Sequence, residues 1–356
     1  QAAKSYLIDD MPQAPGVRVG VVEIPAFYRD FRAESEGKRD FRSTTRDVRR
    51  LIASLKHQGV DGIVIDLRGN GGGSLTEATA LTGLFIDEGP VVQVKDSFGK
   101  IEVERDPDPG VAYRGPLAVL VDRNSASASE IFAGAMQDYG RGLIIGEPTF
   151  GKGTVQTLID LNRYVPGSEA DLGRLRLTMA EFFRVSGGST QLRGVEPDIL
   201  FPTAGQISDH GERSLDNPLP WDSIHPAVYT KVSLSDVDRL RELSRRRMAR
   251  DPGFEMLTAR ERVLRELDDQ YMISLRESDR RVESKRREEV LKNQRDDFLR
   301  AQGFTPVDED ADDVDEDALE EQQEVISRIQ AREAARILAD AVRGAGAARP
   351  RAAMRD

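Results

Sequence analysis

The 356-residue chain contains no cysteine. That excludes disulfides, thiol catalysis and thiolate metal sites. Histidine is nearly as scarce. His57, His210 and His225 stand in unrelated contexts and lack metal-ligand spacing. Solvated or structural roles suit all three better than catalysis, and no metal or other cofactor is called for. No apolar run reaches the length of about 18 residues that would span a membrane, and no signal peptide is visible. The chain opens at Gln1 without an initiator methionine, which suggests a fragment or a processed form and leaves room for an export signal lost upstream. Zero cysteines fit a periplasmic protein without demanding one.

Positive charge is also short, with a formal net charge of −11. The deficit is local: residues 308–324 carry eleven acids and no base. The remainder is near neutral and offers no basic surface for nucleic acid. The acidic run reads as a solvated linker, placed at 307–324.

What is present is an alternation of strand and helix. Residues 1–15 read as an extended opening segment. Val17, Val19, Val21 and Ile24 follow a β pattern, and Thr44–His57 an amphipathic helix. Gly62-Ile-Val-Ile-Asp-Leu-Arg68 is almost wholly apolar, as a strand buried on both faces should be. It enters Gly69-Asn-Gly-Gly-Gly73, then a helix over about 75–86. Strands are expected at Val91–Val94, Leu117–Asp122 and Leu143–Gly146, with a helix over about 127–139 and further β structure over Arg174–Val185. This order predicts an α/β core with a mixed or largely parallel sheet over 16–202. Composition shifts after Pro202. Residues 203–306 read as a charged helical region broken at Asp251-Pro-Gly253. Residues 325–356 read as a C-terminal helix ended by Gly344, followed by a tail.

Two segments carry chemistry: Asn124-Ser-Ala-Ser-Ala-Ser-Glu130 and Gly146-Glu-Pro-Thr-Phe-Gly-Lys152-Gly-Thr-Val-Gln156. A serine hydroxyl is a poor nucleophile until a base takes its proton. Lysine can be that base only if its surroundings lower its pKa. Ser127 and Lys152 are the candidate pair. Each has a plainer reading. Ser127-Ala-Ser-Glu130 also spells a helix capping box, and Lys152 could be a surface lysine in a glycine loop. Gly146 to Lys152 nearly spells a phosphate-binding loop, but Gly153 stands where a hydroxyl is required, and Thr154–Ile159 alternates like a strand. The glycines of 69–73 form either a flexible turn or a place where backbone amides approach a ligand. Asp138 lies eleven residues beyond Ser127, roughly 16 Å along a straight helix. It is therefore expected to be structural support, not a direct partner of the serine.

Together, Asp66-Leu-Arg-Gly-Asn-Gly-Gly-Gly73, Val121-Asp-Arg-Asn-Ser-Ala-Ser-Ala-Ser-Glu-Ile131, Gln137-Asp-Tyr-Gly140 and Gly146–Gln156 closely resemble the tail-specific, or C-terminal-processing, serine proteases. The likeness is nearest to the long Gram-negative periplasmic type, and Asn217-Pro-Leu-Pro-Trp-Asp-Ser-Ile224 extends it. The resemblance implies a crotonase-like protease core acting as a serine endopeptidase. Ser127 would be the nucleophile, Lys152 the general base and Gln156 its orienting partner. The oxyanion donors would be the amides of Ala128 and of a glycine in 71–73, with Gly73 favoured. Implied partners are protein or peptide substrates with apolar C-termini, with room for an adaptor protein. Relatives carry a PDZ domain upstream that binds substrate C-termini and gates activity, and nothing in 1–15 could be one. The rival reading is a crotonase-like scaffold that binds peptides without cleaving them, or a fragment inactive without that domain.

Overall fold

The structure is a computed structural model that describes residues 2–38, 40–106, 110–165, 170–202, 210–232, 234, 236–268, 272–308 and 314–348. Strands β1 (Lys4–Ile8), β2 (Val19–Glu23), β3 (Gly62–Asp66), β6 (Leu117–Val121), β7 (Leu143–Gly146) and β10 (Ile199–Leu200) form one sheet, in the order β1-β2-β3-β6-β7-β10. β1 runs antiparallel to β2, and every other pair is parallel. A second sheet, in the order β5-β4-β9-β8, is antiparallel. Its strands are β4 (Pro90–Asp96), β5 (Ile101–Arg105), β8 (Thr154–Asp160) and β9 (Arg174–Phe183).

Side chains along a strand alternate between faces, so a central parallel strand needs cover on both. One face carries Val22, Ile63, Ile65, Val119, Val121 and Ile144. It packs on α2 (Thr44–His57), α3 (Leu75–Thr82) and α4 (Ala128–Asp138), through Val48, Ile52, Leu55, Leu81, Phe132 and Met136. Ser43 caps α2, its hydroxyl accepting from the Arg46 amide. The short helix α1 (Phe31–Ser35) precedes it.

The opposite face presents Val19, Val21, Val64, Ala118, Leu120 and Ile145. Its cover comes from far along the chain. Helices α5 (Val237–Met248), α6 (Pro252–Asp268), α7 (Glu277–Ala301), α8 (Glu316–Ser327) and α9 (Ile329–Ala348) follow the last strand. α9 places Ala331, Ala334, Ala335, Ile337, Leu338 and Ala339 in the core, with Leu240, Phe254, Phe298 and Leu299 beside them. A Cβ on Gly62 would lie 2.7 Å from Leu338, so a side chain in β3 would collide with α9.

The C-terminal helix forms part of the second layer of the sheet, since both faces of β3 and β6 are buried and α9 covers one of them. Two expectations change here. The acidic stretch is helical from Glu316: Asp315 caps α8, and Glu316 and Asp317 sit in its first turn, where the helix dipole favours acids. Residues 309–313 of that stretch lie outside the described residues. Gly344 does not end α9, which continues to Ala348. Among the described residues no helix is long and apolar enough to cross a membrane.

Candidate active site

Three loops leave the carboxyl ends of the adjacent parallel strands β3, β6 and β7, and they meet there. The carboxyl edge of a parallel sheet is where α/β proteins gather ligands and chemistry.

After β6, Asp122 folds the chain back. Its Oδ1 accepts from the amides of Gly69, Asn124 and Ser125, each at 3.0 Å. The buried Ser125 hydroxyl donates to the Leu67 carbonyl at 2.8 Å. The Ala126 amide donates to the Asn70 carbonyl at 3.0 Å, and the Ser129 hydroxyl to the same oxygen at 2.8 Å. The serine turn is thereby welded to the glycine loop. At its apex Ser127, half-buried, has φ 57° and ψ −110°. A non-glycine residue in such a conformation stores roughly 1–3 kcal/mol of strain. The surrounding bonds hold it there, at the N-terminus of α4.

In the glycine loop, buried Asn70 donates through Nδ2 to the Ile24 carbonyl at 2.8 Å and accepts the Gly72 amide at 2.9 Å. Gly72 has φ 105°, and a Cβ there would sit 2.8 Å from the Ala126 carbonyl oxygen and 2.9 Å from Ser127 Cβ. Only glycine fits so close beneath the serine. The Gly72 carbonyl accepts from Phe27, and the Phe27 carbonyl from Ser74. Among the described residues, the amides of Gly73 and Ala128 donate to nothing. Of the glycines 72 and 73, it is Gly73 that keeps its donor free, since Asn70 consumes the other.

The third loop carries Lys152. Glu130, fully buried in the first turn of α4, binds it. Glu130 Oε1 accepts from the Thr149 hydroxyl at 2.6 Å and the Gly151 amide at 2.7 Å; Oε2 accepts from the Lys152 amide at 3.0 Å and the Ser127 amide at 2.7 Å. One carboxylate thus joins the serine turn to the lysine loop. Burial pushes Glu130 up to about 7, against the pull of those four donors. The far side of the loop is held by the 189–192 turn. Gln191 accepts the Gly153 amide at 2.9 Å, Thr190 donates to the Lys152 carbonyl at 3.2 Å, and Leu192 donates to the Gly151 carbonyl at 2.8 Å.

The sequence-predicted residues are therefore brought together unequally. Ser127, Ala128, Gly73 and Lys152 lie on loops tied to one another. No hydrogen bond joins the Ser127 hydroxyl to the Lys152 amine among the described residues. Gln156 is exposed on β8, at an irregularity in its pairing with β9, and its side chain bonds neither of them. Asp138 sits at the other end of α4. It pairs with Arg184 and accepts from the Ser186 hydroxyl at 3.0 Å, pinning the turn after β9. His210 borders the serine loop, its Nε2 lying 3.1 Å from the Arg123 carbonyl oxygen. Sequence reasoning gave Glu130 only its reach back to the Ser127 amide and missed its three bonds to the lysine loop. It also passed over Asn70 and Gln191, whose partners are distant in sequence.

Residues 18–201 match peptidase family S41, and residues 206–343 match the C-terminal domain of tail specific protease. The chain is 44% identical over 274 residues to the tail-specific protease of Haemophilus influenzae, a span of 76% of this chain and 38% of that protein. The chloroplastic C-terminal processing peptidase of Tetradesmus obliquus is 37% identical over 44% of this chain and 32% of its own length. The solved photosystem II D1 C-terminal processing protease is 32% identical, with a TM-score of 0.46 over 56% of this chain and 48% of that one. This chain thus spans well under half the length of these two curated relatives. The first match runs from β2 through β10 and holds all three converging loops, while the second runs over the helices that cover the sheet's other face. On both counts the chain belongs to peptidase family S41, among the tail-specific proteases.

Proposed function

We propose that Ser127 and Lys152 are the catalytic dyad of a serine endopeptidase. The observation that carries this is the shared carboxylate of Glu130, which fixes the serine turn and the lysine loop as one unit beside two unused amides. Ser127 Oγ bonds to the scissile carbonyl carbon as its proton passes to neutral Lys152 Nζ. The developing oxyanion accepts from the Ala128 and Gly73 amides, aided by the positive end of α4. The C–N bond then breaks and the Lys152 ammonium returns its proton to the leaving amine. Water, losing its proton to Lys152, attacks the acyl ester; the C–Oγ bond breaks and Ser127 regains its proton. A swing of the Lys152 stem would bring Nζ to the serine, and Gln156 would orient it when substrate is bound. Asp138 supports the fold of the site through Arg184. The substrates are periplasmic proteins recognised through apolar C-terminal tails, with an adaptor protein as a further partner.

A test is cleavage of an unfolded reporter ending in apolar residues, followed from about pH 6 to 9. Turnover should fall by at least roughly 10³-fold in both Ser127→Ala and Lys152→Ala, with melting temperatures unchanged. Undiminished turnover in either variant would sink the dyad. The rival reading, a scaffold that holds peptides without cleaving them, draws on the absence of a Ser127–Lys152 hydrogen bond. It requires a wild type that binds the reporter and leaves it whole.

A further inference from the structure

A sheet edge is a row of unpaired amides and carbonyls, and proteins blunt such edges with short strands, charge or proline. This fold has four. β10 is only two residues long. β1 carries Lys4, paired with Glu23. β5 reads Ile-Glu-Val-Glu-Arg, with three charges in five residues. β8 differs. Its seven residues, Thr-Val-Gln-Thr-Leu-Ile-Asp, hold no lysine, arginine or proline and a single charge at the far end. Among the described residues it pairs only with β9. Gln156, Thr157 and Leu158 are exposed, and Leu175, Leu177 and Met179 of β9 are partly exposed beside them.

The place of this unguarded edge gives it meaning. β8 begins two residues after Lys152. Its start is fixed: the Phe182 amide donates to the Gly153 carbonyl at 2.9 Å, and Gln191 holds the Gly153 amide. Glu130 ties the same loop to the Ser127 amide. A chain paired along β8 would therefore be led by the backbone itself towards the serine.

We infer that the free edge of β8 is the substrate track: an extended, unfolded polypeptide adds to it as a fifth strand and is delivered to Ser127. Main-chain hydrogen bonds supply affinity, so the track accepts many sequences. The apolar side chains beside it favour alternating apolar residues in the substrate. A folded domain offers no free strand and is refused. This rests on the serine–lysine reading for its direction, but it concerns binding and is measured without turnover.

The test uses the whole chain as Ser127→Ala, with a fluorescein-labelled decapeptide of alternating leucine and serine, read by anisotropy. Methylating single peptide nitrogens should weaken binding about 2- to 10-fold at every second position and little between, the worth of one neutral hydrogen bond. On the protein, Thr157→Pro and Leu158→Pro place the missing amide on successive residues, one facing β9 and one facing outward. The variant that keeps its melting temperature has lost the outward amide and should bind several-fold more weakly. Absent binding, a loss without period two, or a folded proline variant of unchanged affinity would overturn the track. Covalent labelling of Ser127 by a fluorophosphonate in the wild type reads the nucleophile separately.

Discussion

At the scale of single residues, the site is organised by a group that does no chemistry in the proposed cycle. Glu130 accepts four hydrogen bonds from two loops in a place without solvent. Its ionised form suits those donors, yet burial raises its pKa from 4.5 to about 7. A carboxyl with a raised folded-state pKa gives stability that is complete below its unfolded value and lost as pH rises through the folded one. The wild type should therefore gain stability relative to Glu130→Gln as pH falls from about 7 towards 4.5, by about 2–3 kcal/mol. Urea unfolding of both proteins across that window measures it, and a difference that stays flat would remove the strain assigned to Glu130. Ser127 was legible as a candidate because a serine at a strand-to-helix turn has few roles. The four-way grip of Glu130 was not, since three of its donors, Thr149, Gly151 and Lys152, lie about twenty residues away along the chain.

At the scale of elements, periodicity revealed what local pattern dictates and nothing more. Thr44–His57 is helical as its apolar spacing requires, and Gly62–Asp66 is buried on both faces as its apolar run requires. β5 escaped notice because Glu102, Glu104 and Arg105 mask its alternation, and α3 stops at Thr82 where a helix to 86 was expected. What covers the second face of β3 could not be read from β3. The cover is α9, more than 250 residues onward. Leu338, 1% exposed, packs over Gly62. Leu338→Ala should cost about 2–5 kcal/mol, as a cavity in a close-packed interior does. The single tryptophan, Trp221, donates to the Ser189 carbonyl, beside the turn that holds the Lys152 loop, and reports on that region by fluorescence. If α9 is integral to the core, the urea midpoint of the Trp221 signal falls in Leu338→Ala. An unmoved midpoint would mean that the helix is an independent appendage.

At the scale of the molecule, one largely parallel sheet joins two regions that composition divides at residue 202. α2, α3 and α4 close one face, with the proposed nucleophile at the start of α4; α5 to α9 close the other and carry much of the charge. The link extends to the site. Arg68, just past the end of β3 and ahead of the glycine loop, pairs with Asp66 and donates to the Ser327 carbonyl and to Gln330, at the junction of α8 and α9. The C-terminal helices thus bear directly on the segment that leads into the glycine loop proposed to hold the oxyanion. In the proposed cycle this whole assembly holds an activated serine. Its most direct measurement is the rate and site of fluorophosphonate labelling of the intact 356-residue chain, compared with Lys152→Ala, with the adduct located by mass spectrometry. We expect one adduct, on Ser127, forming in the wild type and suppressed by at least roughly 10²-fold in the folded variant. An unlabelled wild type, an adduct on another serine, or equal labelling in Lys152→Ala would contradict it.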